Sequence, residues 1–406
     1  MDDDARPQTL RYGRAALAAS FFAQGALFAL LVTRIPAVQD RYGISDGLLP
    51  VFLAAVPILA GLGSVGTEQL VKRVRPSVVL RWVQPVVALV LVGLGAGSSM
   101  WVAAVTLALF GVCVGGLDAS MNMLGVSLQR EYRRSIMLGF HAAYSLGGIV
   151  GASLAWSGAH WHVSLVALYG PAVLVLIPLT LVASRWYRDA PGSTSGPGSA
   201  GGPAETQQVV MRLLMPLCLV MAFAYIGDST VSNWSAKYLQ DTLHSSEQLS
   251  TVPYAVYMVT TLLGRSVGDF GVRRFGAAAV VRLGAVVAMA GFAVVAVAPG
   301  AWVGMLGFTL LGFGLCVIVP QTFAAAGRLF PGASDTAVAR LNVFNYVGFL
   351  VGSPLVGALG DAWSYRGAMI VPMLLVGATL YYATSFAAEP AGYGVGHERP
   401  STVDVG

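Results

Sequence analysis

Charge is what this chain of 406 residues has least of, since Asp, Glu, Lys and Arg together make up 11% of it. A soluble domain devotes roughly a quarter of its residues to charge, because its surface faces water. The deficit excludes an ordinary water-soluble globule, and the 56% of hydrophobic residues shows what takes the place of charge. Cysteine is scarce too. Cys113, Cys218 and Cys316 lie far apart, each inside an apolar stretch, so free, packed thiols are expected rather than a disulfide framework or a metal spacing. No metal or cofactor is expected elsewhere either. No glycine-rich phosphate loop occurs, which argues against ATP as an energy source. No nucleophile with its base gathers at one membrane face, so an enzyme is not expected. The formal charge of +5 does not imply nucleic acid, because the basic residues are scattered between apolar runs instead of gathered in a patch. The first apolar run follows Asp2, Asp3, Asp4, Arg6, Arg11 and Arg14 and lacks a small-residue cleavage site, so it reads as a retained helix.

What is present is a succession of apolar runs, and a run of about 20 such residues spans a bilayer. Candidate spans lie near 15–33, 47–70, 78–97, 101–128, 135–157 and 163–184. They resume near 211–236, 250–270, 277–298, 301–327, 336–358 and 367–388. Between the two sets a Pro-, Gly- and Ser-rich stretch cannot form a core and reads as a flexible linker. The expected organisation is an all-α integral membrane protein of twelve transmembrane helices. Its parts are a tail at 1–13, a six-helix bundle at 14–184, a linker at 185–208, a second six-helix bundle at 209–388 and a tail at 389–406. With the N-terminus placed in the cytoplasm, the cytoplasmic loops collect all but four of the 24 Lys and Arg residues, the exceptions being Arg34, Arg41, Lys237 and Arg366. Such a bias is what positive-inside sorting produces, and it implies a multi-pass protein of the cell membrane with both termini cytoplasmic.

The halves are related. An offset of 201 residues brings Phe22 onto Phe223, Glu68 onto Asp269, and Lys72 and Arg73 onto Arg273 and Arg274. The same offset aligns Gly111 with Gly312, Gly147 with Gly348, Gly151 with Gly352 and Pro171 with Pro372. Two parallel repeats put a pseudo-two-fold axis along the membrane normal, an arrangement suited to a central site opened to each side in turn.

The loop after the eighth span reads Gly264-Arg265-Ser266-Val267-Gly268-Asp269-Phe270-Gly271-Val272-Arg273-Arg274-Phe275-Gly276. This resembles the cytoplasmic signature of the major facilitator superfamily, an acid followed by a basic pair. The resemblance implies a gating motif of Gly268, Asp269, Arg273 and Arg274, with Glu68, Lys72 and Arg73 as a reduced copy in the first half. An acid there can pair with a cation or a helix N-terminus while that side is closed; topogenic charge alone is the other reading. Within the superfamily, three stretches resemble the fucose-permease-like branch and its bacterial inner-membrane relatives. They are Gly116-Leu117-Asp118-Ala119-Ser120-Met121-Asn122, Phe140 to Gly151, and Tyr225 to Leu239. Fucose permease is a proton symporter for a sugar with an acid in this fourth-helix position. It has another acid in its first helix, where this chain has Gln24-Gly25.

Polar groups inside spans mark candidate sites, because a charge in the bilayer is costly. Asp118 in the fourth span and Asp228 in the seventh are the candidate proton carriers. Desolvation favours the neutral form of a carboxyl group, which brings its titration toward neutral pH. Asn122 shares a helix face with Asp118, and Ser232 with Asp228. Gln24, His141, Tyr144, Asn342 and Asn345 complete the expected substrate-binding set. His141 is open to a proton relay or to simple packing, Asn342 and Asn345 to substrate contact or interhelical hydrogen bonding. Trp234 can stack on a sugar ring or anchor the interface. Pro36, Pro50, Pro57, Pro320 and Pro354 can kink or break spans.

The expected function is proton-coupled secondary transport of a small polar solute such as a sugar, by a monomer. A proton-driven exporter of amphipathic compounds fits the same features, and a membrane enzyme or solute sensor fits them less well.

Overall fold

The computed structural model describes residues 5–45, 48–189, 204–250, 252–330 and 333–387. The tail expected at 389–406, residues 1–4 of the N-terminal tail and residues 190–203 of the expected linker lie outside the described residues. Among the described residues every regular element is helical. Water is absent from the bilayer core, so backbone groups must be satisfied within each segment, and helices do that.

The first half contains α1 (Ala5–Thr33), α2 (Leu49–Leu70), α3 (Pro76–Ala96), α4 (Met100–Tyr132), α5 (Met137–His160) and α6 (Leu165–Ala183). The second contains α7 (Ala204–Lys237), α8 (Val252–Phe275), α9 (Ala277–Val297), α10 (Ala301–Leu329), α11 (Ser334–Ala362) and α12 (Tyr365–Phe386). Eleven of the twelve are long and apolar enough to cross a membrane. The exception is α8, 24 residues long, whose second half carries Arg265, Asp269, Arg273 and Arg274.

Polar side chains start several helices. Ser99, Ser164 and Ser364 accept from Val102, Ala167 and Gly367 at the starts of α4, α6 and α12, satisfying donors that have no partner in a first turn. Asp189, inside the expected linker, accepts from the Ser77 amide (3.0 Å) and hydroxyl (2.5 Å) and so caps α3. Of the prolines, Pro57 and Pro354 lie inside α2 and α11. Pro36 and Pro50 stand in the first turns of the short helix Ile35–Tyr42 and of α2, where a missing N–H costs nothing. Pro320 follows a break in α10 at residues 316–317.

The packing repeats with the sequence. In the first half α1 lies along α5 and α2 along α4; in the second α7 lies along α11 and α8 along α10. The 201-residue repeat carries into the close approaches of these helices. A Cβ on Gly111 would stand 2.8 Å from the Val56 carbonyl oxygen, and one on Gly312 would stand 2.7 Å from that of Tyr257. Gly147 faces the Phe22 carbonyl and Gly348 that of Ala222, one residue short of the offset. Between the halves, α2 meets α11 and α8 meets α5. There the close glycines face side chains: Gly268 faces Leu138, and Gly327 faces Val126.

Candidate functional site

A cavity of about 1000 Å³ lies between the two bundles. Thr33, Ile35, Gln39 and Ile44, at the α1–α2 connection, line its mouth with Trp156 and Ser157 of α5 and Asn233 of α7. It therefore opens on the face where α1 ends and α2 begins.

The opposite face is closed by links across the seam. Asp269, near the end of α8, accepts from the Ser135 hydroxyl (2.6 Å) and from the amides of Leu138 (3.3 Å) and Gly139 (2.9 Å). Those amides belong to the first turn of α5, whose N–H groups lack intrahelical partners and attract negative charge. Glu68, at the end of α2, meets Arg340 of α11 at 3.3 Å. Arg340 is the repeat counterpart of Gly139, so both acids contact the same position in the opposite bundle, one through a guanidinium and the other through a helix terminus. Lys72, Arg73, Arg273 and Arg274 are exposed; Lys72 bonds Gln69 of its own turn. The acids of the two motif copies span the seam, and their basic pairs lie on the surface.

Both mid-span acids face the cavity. Asp118 on α4 accepts from Gln24 on α1 and, at its other oxygen, from the Tyr346 hydroxyl on α11 at 2.5 Å. Asp228 on α7 accepts from the Tyr257 hydroxyl on α8 at 2.5 Å. One turn along, Asn122 and Ser232 donate to the backbone carbonyls of Asp118 (2.9 Å) and Asp228 (2.8 Å). The Oδ1 of Asn122 is buried without a partner among the described residues. Tyr144 and Asn345 also line the cavity.

Other candidates are placed differently. Asn342 is fully buried and does not line the cavity; its amide donates to Ser64 on α2 at 2.9 Å, and Asn345 donates to it at 3.3 Å. In this arrangement it makes an interhelical hydrogen bond. His141 lines the cavity, its ring between those of Phe21 (5.3 Å) and Phe323 (6.2 Å), and its Nε2 has no partner among the described residues. It makes no bond to either acid. The Trp234 indole donates to the Ser353 carbonyl at 3.0 Å and packs on Tyr365, away from the cavity.

Sequence reasoning missed Arg265 as a cavity residue, having counted it only as a topogenic charge. It lines the cavity beside the seam, its Nη1 donating to the Ser145 hydroxyl at 2.6 Å and the His141 carbonyl at 3.4 Å. Its Nε donates to the Cys316 carbonyl at 3.3 Å. That carbonyl is free because Pro320, four residues on, has no N–H to return to it. The spacing of Arg265, Asp269 and Arg273 at four residues, one helix face, was the available signal. Tyr225, Tyr254 and Tyr257 also line the cavity; Tyr225 and Asp228, three apart, share a face.

Comparison with known proteins agrees with this geometry. A model described as Major Facilitator Superfamily matches residues 217–400. An uncharacterised MFS-type transporter of Yersinia pestis is 28% identical over 346 residues, covering 84% of this chain and 87% of its own length. The crystal structure of the MFS transporter FucP in the outward conformation superimposes with a TM-score of 0.79 at 16% identity, over 93% of this chain and 99% of that one. A variant of the E. coli fucose:proton symporter FucP gives 0.74 at 16% identity, over 92% and 98%. With two repeated six-helix bundles enclosing a central cavity, this multi-pass membrane chain has a fucose-permease-like fold and is similar to transporters of the major facilitator superfamily.

Proposed function

We propose that the chain is a secondary active transporter that moves a small polar solute, such as a sugar, together with protons by alternating access. It works as a monomer in the cell inner membrane with both termini cytoplasmic. The observation that carries this reading is the position of Asp118, whose carboxylate faces the cavity and accepts from Gln24 in one bundle and from Tyr346 in the other. A proton on that carboxylate turns an acceptor oxygen into a donor, so the bond to Tyr346 depends on whether Asp118 carries a proton. Proton occupancy and bundle arrangement are then linked, as coupled transport requires. The fucose:proton symporter among the structural neighbours supports the same reading.

Asp228 is the second proton-coupling group. Gln24, Asn122, Tyr144, Ser232 and Asn345 offer donors and acceptors to a hydroxyl-rich solute. The positive-inside bias supports a cytoplasmic position for the latched face; on this reading the state is outward-open, with Asp269 and Glu68 holding the inner side shut. The basic pairs Lys72–Arg73 and Arg273–Arg274 act in topology.

The test is uptake into proteoliposomes under an imposed pH gradient with Asp118→Asn. Loss of gradient dependence is expected; dependence equal to wild type would rule out Asp118 as the carrier. One observation favours a second reading, export of an amphipathic compound: the cavity is lined by Phe21, Phe28, Phe52, Phe110 and Phe349, and its volume is at the upper end of the ~300–1,000 Å³ of small-molecule sites. Drug susceptibility that rises when the gene is removed would select that reading over uptake.

A further inference from the structure

Arg265 is a guanidinium inside a membrane protein without a carboxylate partner. The ion pairs among the described residues are Arg188–Glu131, Lys237–Asp241 and Arg340–Glu68, and none includes it. Its three protein acceptors are neutral: the Ser145 hydroxyl and the carbonyls of His141 and Cys316. They engage Nε and Nη1 and leave Nη2 without a bond to the protein among the described residues. The cavity's two carboxylates take their hydrogen bonds from other groups, Asp118 from Gln24 and Tyr346 and Asp228 from Tyr257, and Asp228 acts on Arg265 through its charge alone.

A guanidinium stays charged at any physiological pH. Arg265 is half-buried, and its Nη2 stays open to a solute that enters the cavity. A neutral sugar would need only hydroxyl and amide partners, which Asn122, Asn345 and the tyrosines already provide. The fixed cation has no such use.

We infer that the transported solute is an organic anion whose carboxylate binds end-on to Nη2 of Arg265, with its remaining polar groups among Asn122, Tyr144 and Asn345. This rests on the transporter reading above and narrows the solute from a polar molecule to a hydroxylated carboxylic acid, a sugar acid rather than a sugar. Charge-assisted hydrogen bonds between a guanidinium and a carboxylate are about twice as strong as neutral ones. Since Arg265 also holds Ser145 and the His141 carbonyl of the opposite bundle, the solute would bind where the seam begins.

The experiment is a thermal-shift titration of the purified full-length protein with matched pairs: glucose against gluconate and glucuronate, and galactose against galacturonate. In wild type at least one acid should bind at least tenfold more tightly than its neutral partner. Arg265→Gln should abolish that preference. Arg265→Lys, which keeps the charge, should retain a weakened one and so separate loss of the anion site from loss of fold. If no acid exceeds its aldose, or if R265Q keeps the preference, the inference is wrong. Its failure is separable from that of proton coupling. A neutral solute driven by the pH gradient would overturn the anion and leave Asp118 standing. An acid that binds at Arg265 but moves independently of the gradient would do the reverse.

Discussion

The hydroxyl of Tyr346 on α11 donates to Asp118 on α4 at 2.5 Å, so the carboxylate of one bundle is held by a donor from the other. Tyr346→Phe keeps the ring and deletes the donor. A hydrogen bond to a charged group is worth roughly 1.5–3 kcal/mol, which is about ten- to a hundredfold in an equilibrium constant. Net uptake driven by a pH gradient should fall by at least tenfold, while solute affinity in a binding titration should change far less. An equal loss in both would make Tyr346 a solute ligand instead.

The latch on the opposite face should break by halves. Asp269→Ala leaves Leu138 and Gly139 without their acceptor, and Arg340→Gln removes the pair with Glu68. An acid at a helix N-terminus stabilises by about 0.3–2 kcal/mol, so either change should shift the population toward opening on that face. Labelling of a cysteine introduced beside the seam on that face, in a background without Cys113, Cys218 and Cys316, reads this out. Each variant should label several-fold faster, and the pair together faster still. Unchanged labelling in the double variant would remove the latch.

Close helix approach predicts opposite signs for two glycine substitutions. Gly147→Ala drives its Cβ into the Phe22 carbonyl, whereas Gly66→Ala, on α2, meets nothing within 4 Å. Overpacking of this kind costs about 1–3 kcal/mol, and Ala gains up to about 1 kcal/mol over Gly in an unobstructed helix. The unfolding temperature in detergent should drop for the first and hold or rise for the second.

Trp234 makes a prediction about what is not the site. Trp234→Phe loses the bond to the Ser353 carbonyl and should lower stability by roughly 1 kcal/mol with KM unchanged. A KM raised tenfold at unaltered stability would place the indole against the solute.

The spans and the repeat were legible because hydropathy at membrane length and a constant offset are one-dimensional signals. Asp118 and Asp228 were legible for the same reason, as charges where charge is costly. What could not be read was which side of the seam a polar residue faces. His141 and Asn342 are repeat partners on equivalent helices, yet one is clamped between Phe21 and Phe323 and the other bonds Ser64. Arg265 was hidden by its neighbours: in a run with Arg273 and Arg274 it resembled one more cytoplasmic charge. Only the break at residues 316–317, which bares the Cys316 carbonyl, shows where its guanidinium rests.

The glycine contacts divide the molecule by compliance. Within each half, several helices touch backbone to backbone, as Gly115 does with Ala60 and Gly348 with Ala222, and a carbonyl cannot rotate out of the way. At the seam the neighbours are the branched ends of Leu138 and Val126, which can change rotamer at little cost. Deformation during a transport cycle should therefore concentrate in a few aliphatic termini along one plane, leaving the interior of each half nearly undistorted.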